Sequence, residues 1–239
     1  MNKLFNFLLP KLEIHLPDSW FGYPFKVHWS ATILLLAIAC LSIPFAAFGL
    51  VLFLSIVVHE LAHAVVAKRL GYSVMGITIH FMGGGTFIKE FLNKEGINPS
   101  EEIKICIAGP ISNILLGFFT FAYLIPANSS FSFYLINCLG FFGFLNLFLA
   151  VYNLLPVWPL DGGRILHAFA NQILGDNNKA MNVCVIASVL FSGSMIGLGI
   201  WLSALGWIII GFLCILFTLT AYSAFSSLDE EAIGELDNV

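Results

Sequence analysis

The sequence predicts an all-α polytopic membrane protein of about six transmembrane helices, with a small interfacial β-hairpin or sheet between the second and third. Three observations carry this. Of 239 residues, 59% are hydrophobic and only 10% charged, with a mean hydropathy of +0.94. A soluble domain carries roughly 25% charge, so this chain lacks the polar groups to solvate a globule of its size. The apolar residues fall into stretches of ~20, the length that crosses a bilayer core as a helix. The basic residues, finally, gather in alternate connections between those stretches.

Residues 1–28 read as an N-terminal segment lying along the membrane surface. Pro10, Glu13 and Pro17 interrupt its apolar character, and no small-residue cleavage site follows, unlike a secretory signal. The candidate spans are 29–47, 48–70, 103–125, 133–155, 181–202 and 205–225. A tight joint around Pro44 links the first pair and a turn near Gly206 the last. Between the second and third spans the pattern turns β-branched and glycine-punctuated over 72–81, followed by Gly83-Gly84-Gly85-Thr86-Phe87-Ile88 and a polar stretch over 89–102. This reads as a hairpin or small sheet plus a loop, placed at the interface or against a protein cavity because lipid cannot satisfy an open sheet edge. Residues 29–226 make the membrane core, and 227–239, with Asp229, Glu230, Glu231, Glu235 and Asp237, a short acidic tail.

Six spans put Lys3, Lys11, Lys26, Lys68, Arg69, Lys89, Lys94, Lys104, Arg164 and Lys179 on one side. By the positive-inside rule that side is cytoplasmic, with both termini inside, as in a prokaryotic cell membrane. Five single cysteines, Cys40, Cys106, Cys138, Cys184 and Cys214, lack metal or disulfide spacing and read as small packing residues. The net charge of −4 offers nothing to nucleic acid.

The chemistry concentrates in His59-Glu60-Leu61-Ala62-His63, in the middle of the second span. Residues i and i+4 share a helix face, so both imidazoles can address one ion. Glu60, turned ~100° from His59, lies beside that ion as a general base would. Ionisable groups at membrane depth cost several kcal/mol and mark function. A catalytic zinc takes three protein ligands and keeps one open position. Asp161, in Asn153-Leu154-Leu155-Pro156-Val157-Trp158-Pro159-Leu160-Asp161-Gly162-Gly163-Arg164, is the acidic residue set among apolar ones. The two prolines deny regular helix there, and the glycines permit a turn that projects Asp161 inward; the alternative is a helix cap. His167 is a rival third ligand, reading rather as interfacial.

The pairing of a membrane-embedded H-E-x-x-H with N-x-x-P-x-x-P-L-D-G-G resembles the site-2 protease family of intramembrane metalloproteases. The resemblance covers most of the chain, including Val27-His28-Trp29-Ser30 before the first span and Ala108-Gly109-Pro110-Ile111-Ser112-Asn113 in the third. It implies one Zn²⁺ per chain held by His59, His63 and Asp161, Glu60 as catalytic acid/base, and Asn153 steadying the substrate carbonyl. Asn113 matches a family position of less defined role and joins Gly84, Gly85, Thr86 and Phe87 as substrate-binding candidates. The partners implied are the lipid bilayer and a membrane protein whose transmembrane helix is cut. The 83–88 strand offers an edge on which an unwound peptide can add; a plain interfacial hairpin is the alternative. Many relatives carry PDZ or CBS domains, and no stretch here reads as either.

Three other readings compete. A membrane metal transporter needs polar residues along a path, and the first, fifth and sixth spans have almost none. A membrane di-iron oxygenase needs several histidine boxes, and only two of six histidines are paired. A catalytically inactive binding relative would have lost residues that are all present.

Overall fold

The computed structural model describes residues 13–16, 22–80, 83–91, 97–124 and 133–236. They form two compact units, Asn2–Tyr152 and Asn153–Val239.

The first unit contains a four-stranded sheet in the order β1 (Glu13–Leu16), β2 (Phe25–His28), β3 (Val74–His80), β4 (Gly83–Ile88). β1 and β2 are antiparallel, β2 and β3 parallel, β3 and β4 antiparallel. The expected hairpin is β3–β4. The sheet is larger than expected because the N-terminal segment, read as lying along the surface, supplies two more strands. Phe25 and Val27 alternate with Lys26 and are both buried, the period-two signature of a half-buried strand. A parallel β2–β3 pair needs a long crossover, and α1 (Trp29–Leu41) and α2 (Ile43–Arg69) provide it.

The break between these helices falls at Ser42, with Pro44 in the first turn of α2, not at the expected 47/48 boundary. Proline suits a helix start, where its missing N–H has no partner to lose. Consequently α1 has 13 residues, about 20 Å at 1.5 Å per residue, too short for a ~30 Å core. After a 3₁₀ turn at Lys89–Phe91 come α3 (Pro99–Leu124) and α4 (Phe133–Asn153). Val57 and Ala64 of α2 pack with Tyr23, Phe25, Val27, Ala31, Ile77 and Ile79, seating the sheet on the helix. Ala67, Ile88, Ile97 and Ile105 form a second buried cluster.

The second unit holds α5 (Asp161–Leu174), α6 (Asn177–Trp201) and α7 (Leu205–Leu236). α5 was not expected as a helix. The prolines conceal its start, yet Gly175 in the left-handed conformation closes it as C-terminal glycines do. Asp176 then caps α6, accepting from the backbone N–H of Asn178 and Lys179. α6 thus begins four residues before its predicted span.

Four helices, α2, α3, α6 and α7, are long and apolar enough to cross a membrane, while α1 and Leu139–Asn153 of α4 are shorter apolar helices. The protein is an integral membrane protein, mostly helical with a small sheet, and among the described residues four of the six predicted spans are long and apolar enough to cross.

Candidate metal centre

α2 carries His59, Glu60 and His63, all buried. Their ligand atoms lie within 4.8 Å of one another. The two imidazole rings meet edge to face, centroids 4.7 Å apart, as expected of residues one turn apart on one helix face.

α3 determines which nitrogen each ring presents. His59 Nδ1 donates to Asn113 Oδ1 at 3.1 Å, and His63 Nδ1 donates to the Ile105 carbonyl at 2.7 Å. With protons on Nδ1, the lone pairs sit on Nε2. Gly109 lies midway between Ile105 and Asn113, one helical turn from each. A Cβ built on it would fall 2.4 Å from His63 Nε2 and 2.5 Å from His59 Nε2. Both Nε2 atoms therefore converge over a surface that only glycine leaves clear. Pro110 follows inside the helix, and the Ser112 hydroxyl donates to the Gly109 carbonyl at 2.7 Å.

β4 holds the carboxylate. Thr86 Oγ1 lies 2.8 Å from Glu60 Oε2 and 3.0 Å from the Glu60 carbonyl, and a Cβ on Gly84 would fall 2.4 Å from Glu60 Cγ. Strand alternation puts Gly84 and Thr86 on one face, toward Glu60, and Gly85 and Phe87 on the other; Phe87 is exposed. In the order β1-β2-β3-β4, the outer edge of β4 has no strand partner among the described residues.

Asn153 and Asp161 lie in the second unit. Asn153 is the half-buried last residue of α4. Asp161 is buried and opens α5, whose N-cap is Leu160, so the carboxylate does not serve as the cap. Gly162 and Gly163 press α5 against the preceding loop. A Cβ on Gly162 would fall 2.3 Å from the Leu154 and Leu155 carbonyl oxygens, and one on Gly163 2.5 Å from the Val157 carbonyl. The loop is also held by Ser188 of α6, which accepts from Trp158 N–H at 2.9 Å. Thr218 of α7 donates to the Trp158 carbonyl at 2.9 Å. His167 is buried, its ring centroid 5.6 Å from that of Trp158.

Two histidines with Nδ1 bonded and Nε2 converging, beside a carboxylate, form a donor set that fits a zinc ion. The fold and this site together define an integral membrane protein with a candidate metal centre of the H-E-x-x-H kind on one of its long apolar helices. The chain belongs to peptidase family M50, whose family model matches residues 47–131 and 124–195. It is 34% identical over 212 residues to the putative zinc metalloprotease Rip3 of Mycobacterium tuberculosis, covering 83% of this chain and 49% of that protein. It is 27% identical over 200 residues to the stage IV sporulation protein FB of Bacillus subtilis, covering 83% and 67%. The solved site-2 protease from Methanocaldococcus jannaschii aligns with a TM-score of 0.63 at 25% identity, covering 87% of this chain and 94% of that one. The chain spans about half the length of Rip3.

Proposed function

We propose that this protein is an intramembrane zinc endopeptidase that hydrolyses peptide bonds in the transmembrane segments of membrane proteins. The observation that carries the reading is the convergence of His59 and His63 Nε2 beside Glu60 on a helix long enough to cross a bilayer. His59 and His63 hold one zinc ion, with Asp161 as third ligand. The motif around Asp161, its burial and the clash-enforced glycines after it support that role. Zinc, when bound, supplies Lewis acidity and lowers the pKa of water toward ~7.

The chain's own residues do the rest. Glu60 takes a proton from the attacking water as the C–O bond forms and delivers it to the amide nitrogen as the C–N bond breaks. Thr86 keeps that carboxylate turned toward the reaction. The Asn153 amide donates to the oxygen on which charge develops, an interaction worth a few kcal/mol when preorganised. A substrate helix hides its carbonyls in its own hydrogen bonds and must unwind. The outer edge of β4 supplies replacement backbone partners for the extended peptide, with Gly84 and Thr86 on the Glu60 face and Gly85 and Phe87 on the other. We place the chain as a multi-pass protein of a prokaryotic cell membrane, both termini cytoplasmic. α1 and α4 complete a six-segment arrangement.

The test is purification in detergent, zinc quantification, and cleavage of a transmembrane peptide by the wild type and Glu60→Gln. The expected result is one zinc per chain in both proteins, with cleavage in the wild type alone. Equal cleavage by Glu60→Gln, or a wild type without zinc, overturns the reading. Zinc flux into sealed vesicles without proteolysis would favour a metal transporter instead.

A further inference from the structure

Each metal-facing histidine has a partner on the opposite ring nitrogen, but the two partners differ in kind. His63 Nδ1 is bonded to a main-chain carbonyl, that of Ile105, which any residue would supply. His59 Nδ1 is bonded to a side chain, Asn113 Oδ1, across 54 residues of sequence. Asn113 is fully buried, so no solvent replaces it as acceptor. A carboxamide offers an acceptor on one side only. With Oδ1 toward His59, the imidazole proton resides on Nδ1 and the lone pair on Nε2. With the amide turned over, or the acceptor removed, the proton is free to move to Nε2 and block the metal-binding atom.

We propose that Asn113 is a positioning residue for the metal centre, whose Oδ1 holds His59 in the tautomer and orientation that present Nε2 to the ion. The inference rests on the zinc-site reading above and assigns within it a role that needs no contact between Asn113 and substrate. Gly109 and Asn113, four residues apart, then form one device. The glycine opens the space where the two Nε2 atoms meet, and the asparagine aims one of them into it.

Zinc affinity of the full-length protein in detergent tests this, by competition with a chromophoric chelator, alongside the visible spectrum of the cobalt-substituted protein. Asn113→Leu keeps the volume and removes the acceptor; Asn113→Asp keeps the acceptor. The expected result is affinity weakened about 10- to 100-fold in Asn113→Leu, with a changed cobalt spectrum, and wild-type-like binding in Asn113→Asp. Wild-type affinity in Asn113→Leu overturns the proposal while leaving the zinc-protease reading intact. Equal weakening in both variants also overturns it, because packing alone then explains the loss. A wild type that binds no zinc overturns both. If Asn113→Leu fails to accumulate, Asn113→Ala, which removes the acceptor without adding bulk, is read in the same way.

Discussion

At the scale of single residues, the site is set by approach distances as much as by ligands. Gly109→Ala would put a methyl group within 2.5 Å of both Nε2 atoms. Its expected outcome is loss of bound zinc and of cleavage, measured by metal analysis and peptide assay. Gly193 and Gly197 in α6 have open space where a Cβ would go, so alanine at either leaves zinc content and activity unchanged. Thr86→Val separates metal binding from chemistry. It removes the hydroxyl on Glu60 Oε2, a hydrogen bond to a charged group of the kind worth about 1.5–3 kcal/mol. Zinc content should stay at the wild-type value while kcat/KM falls about tenfold or more. His59, Glu60 and His63 were legible in the sequence because helix periodicity is local. The parts played by Gly109, Asn113 and Thr86 at those side chains were not. They arise where α3 and β4 meet α2, across 26 to 54 residues of sequence, and no periodicity reports such contacts. Asn113 and Thr86 read from the sequence as substrate-binding candidates, and the structure shows each hydrogen-bonded to a motif side chain, Asn113 to His59 and Thr86 to Glu60.

At the scale of elements, apolar stretches were easy to read and their ends were not. α2 absorbed residues 43–47 because Pro44 starts a helix as readily as it ends one. β2 escaped notice because four residues carry too short an alternation to stand out. α5 hid behind Pro156 and Pro159, whose loop is held by hydrogen bonds from two later helices. Ser188→Ala leaves the Trp158 N–H without its acceptor, and an unmade buried hydrogen bond costs about 1–3 kcal/mol. The expected outcome is a lower apparent Tm in detergent, with reduced cleavage because Asp161 follows this loop directly. α5 also predicts a pH dependence. Burial pushes the His167 imidazole below the usual histidine range, and the Arg164 charge reinforces the shift. The unfolded chain therefore binds this proton first, so stability rises with pH through the interval between the depressed value and about 6.5. Its contribution is complete above about pH 6.5 and erodes on acidification. Thermal unfolding should show a smaller loss of Tm between about pH 7 and about pH 5 in His167→Gln, which carries no titrating proton there.

At the scale of the whole molecule, orientation in the bilayer follows from where the basic residues end up in each unit. In the first, α2 terminates in Lys68 and Arg69 and α3 carries Lys104 in its second turn, so the basic ends of two antiparallel helices coincide. In the second, Arg164 and Lys179 flank the start of α6, and no Lys or Arg follows Lys179. The turn between α6 and α7, around Ser203, is the opposite end of that pair. The expectation from the positive-inside rule is that Ser73 and Asn178 face the cytoplasm and Ser203 the outside. Cysteine labelling checks this directly, since all three side chains are exposed. Of the native cysteines described, only Cys40 is exposed, at the end of apolar α1, so wild-type background is readily subtracted. A membrane-impermeant maleimide should label Ser203→Cys in intact cells, and Ser73→Cys and Asn178→Cys only after permeabilisation. The reverse pattern would invert the orientation, and labelling of Asn178→Cys and Ser203→Cys from the same side would show that α6 does not cross. With the predicted pattern, the basic end of α2 faces the cytoplasm, and His63 lies five residues, about 8 Å, before Lys68 at 1.5 Å per residue. The proposed site then lies close to the cytoplasmic end of its helix, the side from which the water that the proposed hydrolysis consumes has the shorter distance to travel.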